Sequence, residues 1–403
     1  MEQTEALPLV SIVTPSYNQG RFIEETIQSV LAQDYPNLEY IVVDGGSTDE
    51  TLDILRRYGG RLKWISEPDR GQSEAINKGF RMARGEIVAW LNSDDTYLAG
   101  AVGKAVGYLR THPAVAMVYG EGYLMDEAGR VTGRFPATEP FNLWRLVYFS
   151  DYILQQTVFW RRCVFDAVGM LDESLHYGMD WDFWIRVAKR FEVAYIPEFL
   201  GNLREYAAAK TFAGGMQRFD ELAGMMRRHG TRRFPPAYFN YGWDAYEKAL
   251  GERLRRDLPS LDRPKLRRLA RKAGRVGANL VFGMLSRRYP PSPYTDGWAG
   301  DRTYFLLPQW RPCRRLRITG STIHVPEKLI PIAIDGRLNG RYSFRIDLKE
   351  RADFAFEVPL PEALPEAPML EVALHASRSF VPSTFGGPDH RRLSFQLREL
   401  TLV

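Results

Sequence analysis

The sequence predicts an α/β protein organised around a parallel sheet, and two observations support this prediction. Over the N-terminal part of the chain, short and mostly apolar runs that suit buried strands alternate with segments whose apolar residues recur at helical spacing. These strand–helix units repeat about every 30 residues, which is the length of a strand with its crossover helix. Strands connected in this way lie parallel, with right-handed crossovers. An open sheet covered by helices is therefore expected.

The individual elements follow from these two periodicities. The run LVSIVT has the length and composition of a buried strand, whereas RFIEETIQSVLAQ places Phe22, Ile23 and Ile27 on one helical face. In chain order, the predicted elements are strand 9–14, helix 21–33, strand 39–44, helix 49–58, strand 61–66, helix 71–83, strand 86–92, helix 99–110 and strand 115–120.

The rest of the chain changes character twice. A strong helical pattern covers residues 179–191 and a strand, VAYIPEF, follows it, whereas residues 205–290 are expected to be helical, basic and interrupted by proline. After a linker at 289–297, six short apolar segments separated by Gly, Pro and Asn predict an all-β sandwich. The predicted domains are therefore 1–204, 205–290 and 291–403.

Charge and cysteine content limit the setting in which the protein works. The 403 residues carry a net charge of +5 and two cysteines, Cys163 and Cys313, which excludes a disulfide-rich scaffold and favours a reducing compartment. No leader with a basic start and an apolar core is evident, and no apolar run reaches the ~18 residues of a transmembrane helix. A cytoplasmic protein, or one at the inner face of the cytoplasmic membrane, is expected.

Basic residues concentrate between Gly201 and Pro290, where 20 Lys and Arg face 8 Asp and Glu. The strongest run, 263–275, is followed by an apolar stretch at 276–285. A solvated helix face and a peripheral contact with an anionic membrane are both consistent with this segment. No nucleic-acid partner is expected.

Polar residues follow three of the predicted strands at the point where each strand ends. The string PSYN follows the first strand, Asp44 ends the second, and Asp94 and Asp95 follow the fourth. Ligands of open parallel sheets bind beyond the carboxyl ends of the strands, so these residues are expected to share one edge. Because several carboxylates repel each other unless a cation compensates, the edge suits Mg²⁺ or Mn²⁺. Asp95 taken alone is equally well explained as the N-cap of the following helix, as is Asp180 for the helix 179–191, and Ser47, Thr48 or Asp49 could cap the helix that starts near Glu50.

Longer strings resemble one protein family. VSIVTPSYNQGRFIEETIQSVLAQDYPNLEYIVVDGGSTDET and EPDRGQSEAINKGFRMARGEIVAWLNSDD resemble the N-terminal signature of family 2 glycosyltransferases. LDESLHYGMDWDFWIRVAK resembles the acceptor-side segment of that family, so the resemblance covers residues 8–212. It implies a GT-A, Rossmann-like domain that binds a nucleotide sugar. Here a helical extension and an all-β sandwich-like domain follow, as in some bacterial polysaccharide-assembly transferases.

The resemblance implies a set of contacts to the donor nucleotide. Pro15, Tyr17 and Asp44 would lie at the nucleotide, with Asp44 accepting a hydrogen bond from a pyrimidine imide N–H. Asp69 and Arg70 would lie by the base and the ribose.

The resemblance also implies a metal ligand and a catalytic base. Asp95 would bind Mn²⁺ or Mg²⁺, with Asp94 near the ribose or the metal, and Lys210 would approach the diphosphate. Asp180 would be the general base at the head of the acceptor-side helix. Four positions depart from the family's usual Asp, Glu, His and Ser, and they are Asn92, Met179, Tyr206 and Ala209.

The reaction implied is an inverting, metal-dependent and non-processive transfer. The donor would be a UDP- or dTDP-sugar and the acceptor a hydroxyl of a glycan or lipid-linked glycan, in cell-surface polysaccharide assembly. A processive synthase would need membrane-spanning helices and a Gln-x-x-Arg-Trp motif, and a nucleotidyltransferase would need a glycine-rich loop where TPSYNQG stands. A catalytically weak glycan-binding or scaffold protein on the same fold stays open as the alternative.

Aromatic residues of the β-rich region allow two interpretations. Trp298, Tyr304 and Trp310 could form a surface on which a glycan stacks, or they could pack inside the protein. Composition favours packing and does not by itself imply a carbohydrate-binding role.

Overall fold

The computed structural model describes residues 6–206, 210, 214–230, 235–239, 241–242, 245–246, 284, 298–308, 313–361, 369–385, 389 and 391–403. The chain divides into two compact units. The first comprises Met1–Thr138 and Asp151–Arg228, and the second comprises Glu139–Ser150 and His229–Val403. The second unit thus includes a short stretch from the middle of the chain.

A mixed sheet forms the centre of the first unit. Its strands are β1 (Val10–Ser16), β2 (Leu38–Asp44), β3 (Lys63–Ser66), β4 (Ile87–Trp90), β5 (Thr96–Tyr97), β6 (Val115–Met125), β7 (Val131–Arg134), β8 (Phe159–Arg161) and β9 (Glu192–Arg204). The described strands lie in the order β3-β2-β1-β4-β8-β6-β9-β5, with β7 paired to β6. β3, β2, β1 and β4 run parallel, as the strand–helix alternation predicts. β8 runs antiparallel to β4 and β6, so the sixth strand joins the sheet through a strand that comes later in the chain.

Helices lie between the strands along the chain, and the helix Leu143–Tyr148 belongs to the second unit. They are α1 (Ile23–Leu31), α2 (Thr51–Arg57), α3 (Gln72–Met82), α4 (Ala101–Thr111), α5 (Leu143–Tyr148), α6 (Val164–Val168), α7 (Met179–Ala188) and α8 (Gly215–His229). The apolar spacing of the sequence predicts α1 well, because Ile23, Ile27 and Val30 are fully buried on one face. The α/β fold class expected from the sequence is therefore confirmed.

Large aromatic side chains fill the core of the first unit around β4. Trp90 stacks on Trp184 with ring centroids 5.2 Å apart, and Trp160 meets both rings edge-on. β1 and β2 end together, because Ser16 lies opposite Asp44 in the parallel register. The loops that follow these two strands therefore start at the same edge of the sheet.

The second unit contains a β-sandwich. Its strands are β10 (Trp298–Ala299), β11 (Arg302–Pro308), β12 (Arg315–Ser321), β13 (Ile332–Leu338), β14 (Tyr342–Leu348), β15 (Asp353–Pro359), β16 (Met369–Ala376) and β17 (Phe395–Leu402). Two four-stranded sheets, β10-β17-β12-β15 and β11-β16-β13-β14, share one apolar core. All six segments expected from the sequence form strands of this sandwich.

Two of the three aromatic residues noted in this region pack against other rings. Tyr304 stacks on Trp144 of α5 at 4.9 Å between centroids, and Trp298 meets Phe380 edge-on at 5.5 Å. Asn142 caps α5 and donates a hydrogen bond to the carbonyl of Tyr304 at 3.0 Å. These contacts support the packing interpretation.

Some of the sequence expectations lie outside the described residues. These are Trp310, the basic run 263–275 and, apart from Met284, the apolar stretch 276–285. In the part of the chain that the structure describes, no helix is both long enough and apolar enough to cross a membrane.

Candidate functional site

The loop after β1 is held by the loop after β2. The backbone N–H of Asn18 donates to Ser47 Oγ at 2.7 Å, and Asn18 Oδ1 accepts from the N–H of Thr48 at 2.9 Å. Asn18 has a φ of 52°, a left-handed conformation that Asn tolerates better than most residues. The preceding residue, Tyr17, is left 61% exposed at the edge of the sheet. An exposed ring on a fixed loop is suited to stacking against a planar ligand.

Asp44 lies inside the protein and organises the β2 loop. Its carboxylate is fully buried and accepts from the N–H groups of Gly46 and Ser47 at 3.0 and 2.9 Å. It also accepts from the hydroxyls of Ser47 and Ser66 at 2.5 and 2.6 Å. Oδ2 accepts three of these bonds and Oδ1 only the one from the Ser47 hydroxyl, so Oδ1 keeps a further acceptor position. Asp44 shapes the loop in this structure, and its bond to a donor base stays a prediction.

The side chain of Asp69 lies against the backbone of Gly45 in the same loop, and it fits there because residue 45 has no side chain. A Cβ at position 45 would lie 2.7 Å from Asp69 Oδ2. Asp69 Oδ1 accepts from the N–H of Gly71 at 2.9 Å, while Oδ2 accepts no bond from another described residue. Burial raises the pKa of Asp69. Asp69 is therefore better placed than Asp44 to accept a hydrogen bond from a ligand.

Two further residues expected at the nucleotide have other surroundings. Pro15 is a buried member of β1, opposite Val43, so it contributes to the sheet. Arg70 is exposed and pairs with Glu74 at 2.9 Å and with Glu173 at 2.5 Å.

The two neighbouring acids after β4 have different environments. Asp95 is 1% exposed, and its carboxylate accepts from the N–H of Arg204 at 2.9 Å, Gln156 Nε2 at 2.5 Å and Asn92 Nδ2 at 3.2 Å. Burial and the charge of Asp94 raise the pKa of Asp95. Asp94 is half-buried, and its Oδ2 accepts from the hydroxyl of Tyr206 at 2.8 Å. Burial raises its pKa as well.

Arg204, at the end of β9, holds this acidic loop in place. Besides its backbone bond to Asp95, its Nε donates to the carbonyl of Asp94 at 2.7 Å. Its guanidinium lies over the ring of Phe22 at 4.8 Å, and Phe22 packs against Tyr206. The sequence gives no signal for Arg204. Tyr206 is visible in the sequence only as a departure from the usual His.

The acceptor-side residues lie around the start of α7. Asp180 is half-buried, and its Oδ1 accepts from the N–H of Trp181 at 2.8 Å. Burial raises the pKa of Asp180, and the positive charge of Lys210 opposes this effect. Burial lowers the pKa of Lys210, and the carboxylate of Asp180 opposes this in turn. The structure thus brings together the expected base and the expected diphosphate contact.

A series of hydrogen bonds connects Lys210 to the acidic loop. Lys210 Nζ donates to Gln72 Oε1 at 3.0 Å, and Gln72 Nε2 donates to Asn92 Oδ1 at 2.8 Å. Asn92 in turn donates to Asp95. The base, the lysine and the acidic loop therefore belong to one polar site, in which Gln72 is a member that sequence reasoning missed.

A second carboxylate faces Asp180. Burial and the negative charge of Asp180 raise the pKa of Asp151, whose Oδ1 accepts from the N–H of Ile153 at 3.1 Å. Asp182, two residues after Asp180 on α7, is 4% exposed and pairs with Arg186 at 2.7 Å. This ion pair gives Asp182 a structural role.

The acids fit a metal ion only if a ligand completes its coordination. Among the described residues, no group of three or more His, Cys, Asp or Glu side chains is arranged to hold a metal. Mg²⁺ and Mn²⁺ are commonly held by one or two carboxylates together with substrate phosphates. Asp94 is the more accessible of the two acids, whereas Asp95 is 1% exposed and its Oδ1 accepts only the bond from the N–H of Arg204. Asp95, the ligand expected from the sequence, stays a prediction beside Asp94.

Comparison with known proteins gives similarities over the N-terminal half. The glycosyl transferase family 2 model matches residues 11–168. The chain is 30% identical over 218 residues to the uncharacterized glycosyltransferase RP339 of Rickettsia prowazekii, covering 52% of this chain and 68% of that protein. It is 32% identical over 186 residues to a PGL/p-HBAD biosynthesis glycosyltransferase of Mycobacterium bovis, covering 45% of this chain and 70% of that protein.

The fold also has similarities among solved structures. S. aureus TarS 1–349 in complex with UDP-GlcNAc matches 70% of this chain and 93% of its own length, with 17% identity and a TM-score of 0.47.

Proposed function

The chain belongs to glycosyltransferase family 2 and is a glycosyltransferase, and from this premise we propose that it inverts the anomeric centre of a nucleoside-diphosphate sugar. The acceptor is a hydroxyl of a glycan or lipid-linked glycan, and the process is cell-surface polysaccharide assembly. One observation carries the proposal: Asp180 and Lys210 share a polar site with the acidic loop after β4.

Donor recognition is assigned to the edge formed by the β1 and β2 loops. The ring of Tyr17 offers the base a stacking surface, and Asp69 Oδ2 offers an acceptor beside it. A uracil or thymine imide N–H is a donor that matches this acceptor. UDP- and dTDP-sugars are therefore the proposed donors, with Asp44 Oδ1 and Asp69 Oδ2 as the proposed acceptors for the imide N–H.

Lys210 and a divalent cation are the groups proposed to neutralise the negative charge on the departing diphosphate. Mn²⁺ or Mg²⁺, when bound, would neutralise the leaving group, and Asp94 is the residue that would hold it. Lys210 reaches the same region and carries the complementary charge. Tyr206 and Arg204 hold Asp94 by its carboxylate and its carbonyl.

Asp180 is assigned the proton transfer. The acceptor oxygen bonds to the anomeric carbon while the bond from that carbon to the diphosphate oxygen breaks, and the hydroxyl proton passes to Asp180. Because a single displacement proceeds from the opposite face, the anomeric configuration inverts. The buried surroundings that raise the pKa of Asp180 also make it a stronger base.

The donor can be identified by binding. Purified protein is screened against UDP- and dTDP-sugars by thermal shift, with and without Mn²⁺, since bound ligand raises the apparent stability. Donors that bind are then tested for sugar transfer to glycan and lipid-linked acceptors. Binding of a GDP-sugar in preference to every UDP- and dTDP-sugar would contradict the donor assignment.

Replacing Tyr17 with Ala is expected to weaken donor binding by 1–3 kcal/mol, the typical contribution of a ring stacked on a base, or about 5- to 150-fold in Kd. The melting temperature should change little, because Tyr17 is 61% exposed. Calorimetric titration with the identified donor measures the effect. Tyr17→Phe should bind normally, and Tyr246→Ala, at a tyrosine that is 59% exposed elsewhere, serves as the control. Unchanged affinity in Tyr17→Ala would remove the stacking assignment.

Membrane contact through 263–285 is kept as part of the proposal. The first part of this segment, 263–275, is rich in basic residues, and the apolar stretch 276–285 follows. Each basic residue near an anionic membrane surface contributes about 1 kcal/mol to binding. Co-sedimentation with anionic vesicles at low and high salt is the test. Failure to bind at low salt would exclude the contact.

A further inference from the structure

The loop that leads into α7 is held on one side by α3. Ser73 Oγ donates to the carbonyl of Leu175 at 3.0 Å, and Asn77 Nδ2 donates to the carbonyl of Leu171 at 3.0 Å. Both side chains are buried. The loop is therefore attached to the helix that also carries Gln72, the partner of Lys210.

On its other side the loop is held by a single carboxylate of α8. Glu221 accepts hydrogen bonds from three consecutive backbone N–H groups, those of His176 at 2.8 Å, Tyr177 at 2.7 Å and Gly178 at 2.9 Å. Oε1 takes the bonds from Tyr177 and Gly178, and Oε2 takes the bond from His176. Hydrogen bonds to a charged acceptor are stronger than neutral ones, so this contact fixes the backbone firmly.

Packing places the same backbone directly against α8. A Cβ at position 178 would lie 2.6 Å from Leu222 Cδ2, so Gly178 is where the loop meets the helix. The carbonyl of Gly178 accepts the first helical bond of α7, from the N–H of Asp182 at 2.9 Å. Since Asp180 lies within this first turn, a shift of residues 176–178 displaces its carboxylate.

We propose that Glu221 is a positioning residue for Asp180: its carboxylate fixes the first turn of α7 and thereby aims the base at the acceptor. This inference rests on the proposed function. It assigns part of the acceptor site to α8, a helix that lies beyond the residues 11–168 matched by the family model.

A purely stabilising role is the competing explanation. A carboxylate near a helix N-terminus interacts favourably with the helix dipole, whatever the helix does. That role would lower the stability of a variant without changing the turnover of its folded molecules. The two explanations therefore differ in kcat per folded enzyme.

The test compares Glu221→Ala, Glu221→Gln and the control Asp220→Ala, which removes a neighbouring exposed acid of the same helix. Donor-binding stoichiometry from calorimetry counts the folded molecules in each preparation. We expect Glu221→Ala to lower kcat by roughly 10²-fold, the typical cost of a misplaced catalytic group. Donor Kd is measured alongside, because the negative charge of Glu221 also acts on Lys210. Glu221→Gln keeps one acceptor oxygen, which can retain the bonds from Tyr177 and Gly178, but its amide NH₂ cannot accept from His176, so its kcat is expected to lie between those of Glu221→Ala and the parent protein. Asp220→Ala should behave as the parent protein.

Hydrogen exchange keeps this inference separate from the proposed function. Glu221→Ala should accelerate exchange of the amides of residues 176–178, whose bonds it removes, whether or not a transfer assay has been found. Unchanged exchange would show that Glu221 does not hold the backbone of residues 176–178, and it would overturn the inference. Faster exchange with kcat within twofold of the parent protein would overturn the positioning role and leave the glycosyltransferase assignment intact. If Asp180→Asn stays active while Glu221→Ala does not, Glu221 acts through a group other than Asp180 and the inference fails.

Discussion

Replacing Asp180 with Asn is expected to lower sugar transfer by at least roughly 10²-fold, the typical contribution of a general base, while donor affinity stays the same. Asn has nearly the same shape and still accepts the hydrogen bond from the N–H of Trp181, but it cannot take a proton at neutral pH. Steady-state transfer and donor-binding calorimetry on the same preparation measure both quantities. Asp166→Asn, at an exposed acid of α6, is the control.

The structure separates this expectation from helix capping. Gly178 occupies the N-cap position of α7 and has no side chain with which to cap it. The Asp180 carboxylate accepts a hydrogen bond from the backbone N–H of Trp181, the next residue of the same helix. A melting temperature close to that of the parent protein is therefore expected. Near-normal turnover of Asp180→Asn would show that the base lies elsewhere, and Asp151 would be the next candidate because Asp182 is paired with Arg186.

The same site predicts the pH dependence of transfer. Asp180 acts only when deprotonated, and burial raises its pKa, so activity should fall on acidification at a pH above the ordinary Asp pKa of about 3.9. Lys210 acts only when protonated, and burial lowers its pKa, so activity should fall on the alkaline side earlier than for an exposed lysine. A profile of kcat/KM against pH should therefore be bell-shaped. A profile flat down to pH 4 would contradict the assignment of Asp180.

Much of the architecture could be predicted from the sequence because strand and helix periodicities are local. The positions of Asp44, Asp94 and Asp180 at the ends or starts of elements followed directly from that pattern. The insertion of β8 between β4 and β6 could not be predicted this way, since β8 lies about 70 residues after β4 and about 40 residues after β6 and no local signal indicates either pairing.

The surroundings of the individual side chains in the site could not be predicted from the sequence. Asp94 and Asp95 are adjacent, and spacing alone does not say which of them turns inward. The partners that decide this are distant in sequence: Arg204 is 109 residues from Asp95, and Gln156 is 61 residues away. The same applies to Asp44, whose fourth hydrogen bond comes from Ser66, 22 residues further on. Buried polar networks are formed by the tertiary structure and leave little trace in a single sequence.

Substitution of the two neighbouring acids should have opposite consequences. The sequence alone predicts that Asp95→Ala abolishes metal-dependent donor binding and leaves the fold intact. The structure leads to a different expectation, because Asp95 accepts bonds from Arg204, Gln156 and Asn92 inside the protein. Each buried donor left without a partner costs about 1–3 kcal/mol. Asp95→Ala should therefore lose several kcal/mol of unfolding free energy, measured by urea titration.

Asp94→Ala should instead keep the fold and lose the effect of Mn²⁺ on donor affinity. Asp94 is half-buried, and its removal leaves only the hydroxyl of Tyr206 without an acceptor, at a site that water can reach. Urea titration and donor calorimetry with and without Mn²⁺, carried out on both variants, make each the control for the other. A stable Asp95→Ala protein that has lost its Mn²⁺ response, beside an Asp94→Ala protein that retains it, would return the metal to Asp95. An unstable Asp95→Ala protein, beside a stable Asp94→Ala protein that has lost its Mn²⁺ response, would give the two acids different roles. Asp95, buried inside the protein, would support the loop, and Asp94 would provide the metal ligand.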